Sequence, residues 1–213
     1  PVAELALTRE ALVLGALEHP GIVPTHLLLK DEEGKPALVM KRVDGRPWSE
    51  QVEEPVPPDE LESHLRILMA VCRTIEYAHE RGIVHLDLKP ENIMTGRFGE
   101  VYVLDWGLAH RFQGAVQAPM ARDIRHAMGT PAFMAPEQAK ADGPAIGPWT
   151  DVFMLGGCLA ACLRGGAPRD GTTLEELLMM AFMGEHSGFP SDAPPGLVAV
   201  AEEAMALLPE DRF

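Results

Sequence analysis

Between positions 85 and 92 the chain reads His85-Leu86-Asp87-Leu88-Lys89-Pro90-Glu91-Asn92, and a second polar motif, Asp105-Trp106-Gly107, begins thirteen residues past Asn92. The first places a carboxylate, an ammonium and a carboxamide within one short loop. The second places a carboxylate directly after an apolar run at 101–104 that reads as a strand. Phosphoryl transfer needs such groups: a carboxylate to orient the attacking hydroxyl, a cation for the charge developing on the phosphoryl group, and oxygen ligands for Mg²⁺. Positioning and charge stabilisation do most of the work in that reaction. Either motif alone is credible as a polar loop that caps a strand or turn, since short patterns recur by chance. Their joint presence argues against chance and predicts that the two segments meet in space.

The elements around them follow from pattern and punctuation. Residues 4–17 carry Leu5, Leu12 and Leu17 among good helix formers, and His19-Pro20-Gly21 ends that helix. Apolar runs at 25–29 and 37–40 flank a turn-like 31–35, which predicts a hairpin. Residues 50–62 hold six carboxylates and a proline cluster at 55–58, the pattern of a solvated linker and of a boundary between two lobes. Asp59 and Glu62 are spaced as a capping box for a helix whose apolar face is Leu61, Leu65, Leu68, Cys72, Ile75 and Ala78, as far as Gly82. Residues 83–95 are irregular, and from 106 to 137 no period is visible. Beyond them Thr150 is placed to cap an apolar helix that ends at Gly165-Gly166, and amphipathic helices are predicted at 172–183 and 197–208.

The 213 residues, 46% of them hydrophobic, suffice for one sizeable core. Eighteen basic against 32 acidic residues give a net charge of -14, which excludes nucleic-acid binding through bulk electrostatics. The odd set Cys72, Cys158 and Cys162 lies in apolar stretches; it speaks for small core residues and a reducing, cytoplasmic compartment rather than a disulfide framework. The longest apolar run, 152–163, is well short of the roughly 20 residues of a membrane span.

With these residues in view, the sequence resembles the eukaryotic-type protein kinase superfamily, in the wording of its bacterial serine/threonine members. Residues 85–92 match its H-R-D-L-x-x-x-N loop, Asp105-Trp106-Gly107 its D-F-G, and Ala135-Pro136-Glu137 its A-P-E, in the family's order. Lys89 and the Gly129-Thr130 pair are similar to the serine/threonine branch, and Asp151 to a buried aspartate that braces the catalytic loop from below. The resemblance implies an α+β, bilobal fold. Residues 1–47 would be an incomplete first lobe and hinge with one helix and two strands, and 48–213 a mainly helical second lobe, the domain being truncated at both ends. It implies that Asp87 is the catalytic base or hydroxyl orienter, that Lys89 contacts the transferring phosphoryl group, and that Thr130 supports both. Asn92 and Asp105 would hold Mg²⁺, and Glu10, Met40, Val43 and Met94 would belong to the ATP site. Val43 falls where the hinge backbone receives adenine, and Met40 at the pocket's rear. The implied activity is transfer of the γ-phosphoryl group of ATP to Ser or Thr hydroxyls of protein substrates. Glu91 and the 50–62 carboxylates read equally as attractors of basic substrates and as solvated charges. His79, His85 and Asp87 could be taken for a metal cluster, but in the matched family His85 is a packed residue without a ligating role.

The sequence departs from the pattern in three places. Leu86 replaces the arginine that receives an activation-loop phosphate, and no Ser, Thr or Tyr occurs between Asp105 and Thr130, so acceptor and receiver are missing together. Such a loop is expected to be ordered by its own packing, with Arg122 and Arg125 available to pair with carboxylates, or by an attached regulatory domain or partner. Trp106 stands for the usual Phe and is expected to pack beneath the helix of Glu10. No glycine-rich loop or lysine-bearing strand precedes Glu10. That last absence keeps open a pseudokinase scaffold. A small-molecule kinase of the aminoglycoside or choline type shares the H-x-D-x-x-x-x-N loop, and the segment 130–137 speaks against it. A buried ion pair between Glu137 and Arg212 is a further implication of the resemblance.

Overall fold

The computed structural model describes the backbone of residues 2–213 and the side chains of residues 7–213. Helix α1, Val2–Ala16, buries Val13 and Leu14, with Leu17 just beyond it. The chain then turns at His19-Pro20-Gly21, where the His19 Nδ1 accepts from the Gly21 N–H. Gly21 passes so close to Thr74 that a Cβ there would lie 2.1 Å from the Thr74 hydroxyl, an approach that only glycine permits. Strands β1 (Thr25–Lys30) and β2 (Pro36–Met40) form the expected antiparallel hairpin. The Asp31 carboxylate closes its turn by accepting from the Glu33 and Lys35 amides, both at 2.9 Å.

Strand β3, Gly45–Pro47, escaped the sequence pattern. It is followed by a 3-10 turn whose Trp48 is fully buried. The acidic stretch that follows is docked where a free linker was expected. Val52 is buried, Val56 N–H donates to the Cys162 carbonyl, and Gly166 N–H donates to the Val52 carbonyl, while the carboxylates of Glu53, Glu54, Asp59 and Glu60 face solvent. Backbone bonding and two valines anchor the stretch; its charges stay hydrated.

Helix α2, Leu61–Glu80, buries Leu61, His64, Val71, Thr74, Ile75 and Ala78, with Leu65, Leu68 and Cys72 half-buried on the flank. The predicted capping box is absent. The Glu60 and Leu61 amides donate instead to the Pro57 carbonyl, and Glu62 turns outward to Arg66 one helical turn on, at 2.6 Å. Short strands β4 (Ile83–Val84), β5 (Ile93–Gly96), β6 (Val101–Val103) and β7 (His110–Arg111) bracket the polar loops. β3, β5 and β6 make one antiparallel sheet in that order, and β4 pairs with β7.

Helix α3 is the single turn Pro136–Ala139. Helix α4, Pro148–Arg164, is buried along most of its length, and α5 (Leu174–Met183) and α6 (Pro195–Ala204) complete the helical part. Thr150 does not cap α4 as expected: it sits in the first turn and its hydroxyl accepts from the Gly147 amide, the reverse arrangement. Thr173 caps α5 by accepting from the Glu176 amide, and α6 starts at Pro195 and ends at Ala204, so Leu207 and Leu208 lie beyond it. The core joins Val71, Ile75 and Ala78 of α2 to Met154, Cys158, Ala161 and Cys162 of α4. The cysteines are free thiols packed as small apolar residues, and burial pushes Cys162 up to about 12. Among the described residues no helix is long and apolar enough to cross a membrane.

Candidate active site

The loop that carries Asp87 is fixed from below by one carboxylate. Asp151, in the first turn of α4 and wholly buried, accepts from the amides of His85 (2.9 Å) and Leu86 (3.0 Å), and the His79 Nε2 lies 2.7 Å from its Oδ2. A buried carboxylate this well supplied with donors is a stable anchor. The expectation that Asp151 braces the loop is met. His85 packs edge-on against Trp106, its Nδ1 accepts from the Asp87 amide, and its Nε2 faces the Leu104 carbonyl at 3.0 Å. Those partners place the proton on Nε2. Burial holds the imidazole below its usual range, so it stays neutral. Both ring nitrogens are thus engaged by protein groups.

Above this floor the side chains converge. The Asp87 Oδ1 accepts from the Thr130 hydroxyl at 2.7 Å; its Oδ2 accepts from the Asn92 Nδ2 and lies near the Lys89 Nζ, both at 3.1 Å. Lys89 also donates to the Thr130 hydroxyl, and Asn92 donates a second bond to the Asp87 carbonyl. Thr130 is delivered by Gly129, whose φ of +116° belongs to glycine; a Cβ there would press on the Leu86 carbonyl at 3.0 Å. The four residues Asp87, Lys89, Asn92 and Thr130 are therefore one hydrogen-bonded group.

Asp105 is brought alongside by a backbone bond from the Leu104 amide to the Asn92 carbonyl, 2.8 Å. It is exposed, in a left-handed conformation (φ +56°), with its Oδ1 accepting from the Gly107 amide. Leu86 is also left-handed (φ +69°), held through its amide by Asp151 and through its carbonyl by Gln138. Such residues cost of order ~1–3 kcal/mol each and persist where the surroundings over-determine them. Trp106 packs in the core shared with Val13, Leu14 and Leu17, beneath Glu10's helix as expected. The Glu10 carboxyl is pushed up by burial and then by the nearby charge of Asp105, and a backbone hydrogen bond at Trp106 partly offsets both.

The donor set fits Mg²⁺. The Asn92 Nδ2 is committed to Asp87, which leaves its Oδ1 as an oxygen ligand, and Asp105 adds an exposed carboxylate. Mg²⁺ commonly binds through one or two carboxylates together with waters and substrate phosphates. Met40 ends β2, Val43 lies half-buried in the β2–β3 connection, and Met94 sits in β5 between Pro47 and Tyr102, two residues past Asn92. A wide cleft of about 830 Å³ between β3, the β5–β6 turn and α2 contains none of these residues and is not the site.

Three features of the surroundings were hidden in the sequence or only partly visible there. Gln138 is fully buried and stitches three segments, donating to the Leu86 and Met128 carbonyls and accepting from the Ala135 amide. Its place one residue after the Ala135-Pro136-Glu137 motif was the only available signal. Leu86 is fully buried in an apolar cluster with Val84, Ala121, Ile124 and Ile146, flanked by Leu108, Phe112 and Met128. The segment after Asp105 is thus held by this cluster together with the β4–β7 pair and the Gln138 bond to the Met128 carbonyl. Arg125 serves the Arg122 and Ile124 carbonyls rather than carboxylates. Glu137 and Arg212 form the expected buried pair, two-pronged at 2.9 and 3.0 Å.

A braced Asp-Lys-Asn loop facing an Asp-Trp-Gly turn, under a hairpin and helix and over a helical base, defines the class of the molecule: a protein kinase domain. The protein kinase domain family matches residues 3–209, and the chain belongs to that family. It is 32% identical to the serine/threonine-protein kinase PknD of Chlamydia trachomatis serovar D, over 96% of this chain and 25% of that protein. It is 29% identical to the PknD of Chlamydia muridarum over 100% of this chain and 26% of the relative, and 28% identical to that of Protochlamydia amoebophila over 83% and 20%. The chain therefore spans about a quarter of the length of the curated relatives it matches. Kinase domains of this family use ATP with a divalent cation.

Proposed function

We propose that the protein carrying this chain transfers the γ-phosphoryl group of ATP to serine or threonine hydroxyls of protein substrates. The observation that supports it most is the sharing of one carboxylate, Asp87, among Thr130, Asn92 and Lys89. In this reading residues 1–47 are the upper part of the domain and 48–213 the lower. Asp87 orients the substrate hydroxyl and takes its proton as the new O–P bond forms and the bond from the γ-phosphorus to ADP breaks. Thr130 fixes the rotamer of Asp87, and Lys89 places positive charge against the transferring group. Asn92 and Asp105 would hold Mg²⁺, which when bound neutralises phosphate charge. Met40, Val43 and Met94 receive the nucleotide base, and Glu10 is held ready for a cationic partner. The exposed Glu91 favours a basic peptide, and three free thiols suit the cytoplasm.

Transfer from radiolabelled ATP by the full-length protein tests this. Asp87→Asn should lower it by about 10²–10⁴-fold with nucleotide affinity nearly unchanged, whereas Asp105→Ala should weaken Mg²⁺-ATP binding. Undiminished transfer by Asp87→Asn contradicts the assignment. One observation favours a second reading, a binding scaffold: Leu86 stands where the family's catalytic loop carries an arginine. Nucleotide binding without any transfer by the full-length protein would decide for the scaffold.

A further inference from the structure

Two arginines are buried beneath the segment that carries Thr130, and they are treated differently. Both guanidinium groups lie over the ring of Phe153, Arg212 at 5.0 Å and Arg169 at 5.3 Å from its centroid. Arg212 is neutralised by Glu137. Arg169, only 3% exposed, has no carboxylate partner among the described residues. Its Nε donates to the Glu185 carbonyl (2.8 Å), and one terminal nitrogen donates to the carbonyls of Pro131 (3.1 Å) and Ala132 (3.3 Å). The other terminal nitrogen is buried without a partner. Burial lowers its pKa to about 10, so it remains charged at neutral pH. A buried charge that no ion pair offsets is costly. Here it holds only backbone carbonyls, and two of them belong to the residues that directly follow Thr130.

We propose that Arg169 is a positioning residue for the peptide substrate: it pins Pro131 and Ala132 from below, and so sets both the Thr130 hydroxyl and the shelf beside Asp87 on which the substrate chain must lie. Pro131 and Ala132 are half-exposed above it, next to the carboxylate that the substrate hydroxyl has to reach. The guanidinium fork suits this task because its donors diverge in a fixed plane. It ties the α4–α5 connection, the loop after α5 and the Thr130 segment to one point. A lysine has the charge but cannot serve three carbonyls in that geometry. The inference rests on the protein kinase reading above.

The test compares Arg169→Gln and Arg169→Lys with the parent, in the full-length protein, by steady-state kinetics on a basic serine peptide. Arg169→Gln should raise the KM for peptide by about tenfold, Arg169→Lys by less, with the KM for ATP unchanged within about twofold. A purely structural role would lower kcat through a smaller active fraction and leave both KM values alone; that result, or an unchanged peptide KM in a folded variant, overturns the proposal. If Arg169→Gln does not fold, Arg169→Lys alone decides by the same criterion. Hydrogen exchange supplies a readout independent of transfer: amides 132–135 should exchange faster in the variants while those of α4 do not. A parent without transfer would refute the kinase reading, and the exchange result would still decide whether Arg169 positions the segment; unchanged exchange would overturn it.

Discussion

Leu86 and Asp87 are neighbours in sequence, and the loop turns them into opposite surroundings. Asp87 faces Thr130 and Asn92, each through a specific hydrogen bond, and Lys89 through an ion pair; the Leu86 side chain faces Val84, Ala121, Ile124 and Ile146, bound through none. The left-handed backbone at Leu86 makes the reversal, and Asp151 and Gln138 hold it. The difference teaches how the chain divides its work. The polar side chains of the candidate site are placed by directional bonds, several of them converging on the Asp87 carboxylate. The long segment between Asp105 and Thr130 is placed by the Leu86 cluster together with backbone bonding, including the β4–β7 pair and the Gln138 bond to the Met128 carbonyl, and none of these contacts calls for an added charge. A phosphate-receiving arginine would have no place in that cluster.

Glu137 and Arg212 tie the end of the Thr130 segment to the end of the chain through a buried two-pronged pair. Removing one partner strands the other's charge, so Glu137→Ala should destabilise the protein by ~3–5 kcal/mol, seen as a clearly lower unfolding midpoint in denaturant. A midpoint equal to the parent's would mean that the pair contributes nothing net. On the apolar side, Leu86→Ala leaves a cavity in a site with little freedom to collapse and should cost ~2–5 kcal/mol. Its mark should be faster proteolysis or hydrogen exchange at residues 121–128, with the Asp87 contacts kept. Equal protection of 121–128 in the two proteins would show that packing around Leu86 is not what orders the segment.

Much of this was legible from residue types. The loop 85–92 and the turn at 105–107 carry their chemistry in fixed local spacing, so reading along the chain finds them. The hairpin at 25–40 and helix α2 announce themselves through turn residues and period. Arg169 and Gln138 do not, because their partners are carbonyls 38 and 52 residues away, and a carbonyl is the same at every position. The capping box at Asp59 and Glu62 failed for a related reason. Local spacing offered it, but the Glu62 carboxylate pairs with Arg66, and the Pro57 carbonyl takes the Glu60 and Leu61 amides where the helix begins. Strand β3, three residues long, exists only because β5 pairs with it.

A smaller effect is expected from pH. The buried His85 is neutral in the folded protein and held below its usual range, whereas in the unfolded chain it titrates near ~6.5. The unfolded state therefore binds more protons below that value. Stability is fully present above about pH 6.5 and falls as pH drops through it, by at most ~1.4 kcal/mol per unit for this group. Unfolding midpoints at pH 7.5 and 5.5 measure this, and a midpoint that rises on acidification would contradict the neutral assignment.

Packing together with backbone bonding, without phosphate, is expected to hold the segment between Asp105 and Thr130 in the observed arrangement. Residues 106–129 contain no hydroxyl side chain, so Thr130 is the one acceptor the segment offers. The direct measurement is phosphoryl transfer by the full-length protein before and after phosphatase treatment, with phosphopeptides mapped in both samples. Unchanged activity is the expected result; a strong loss of activity traced to phospho-Thr130 would contradict the account.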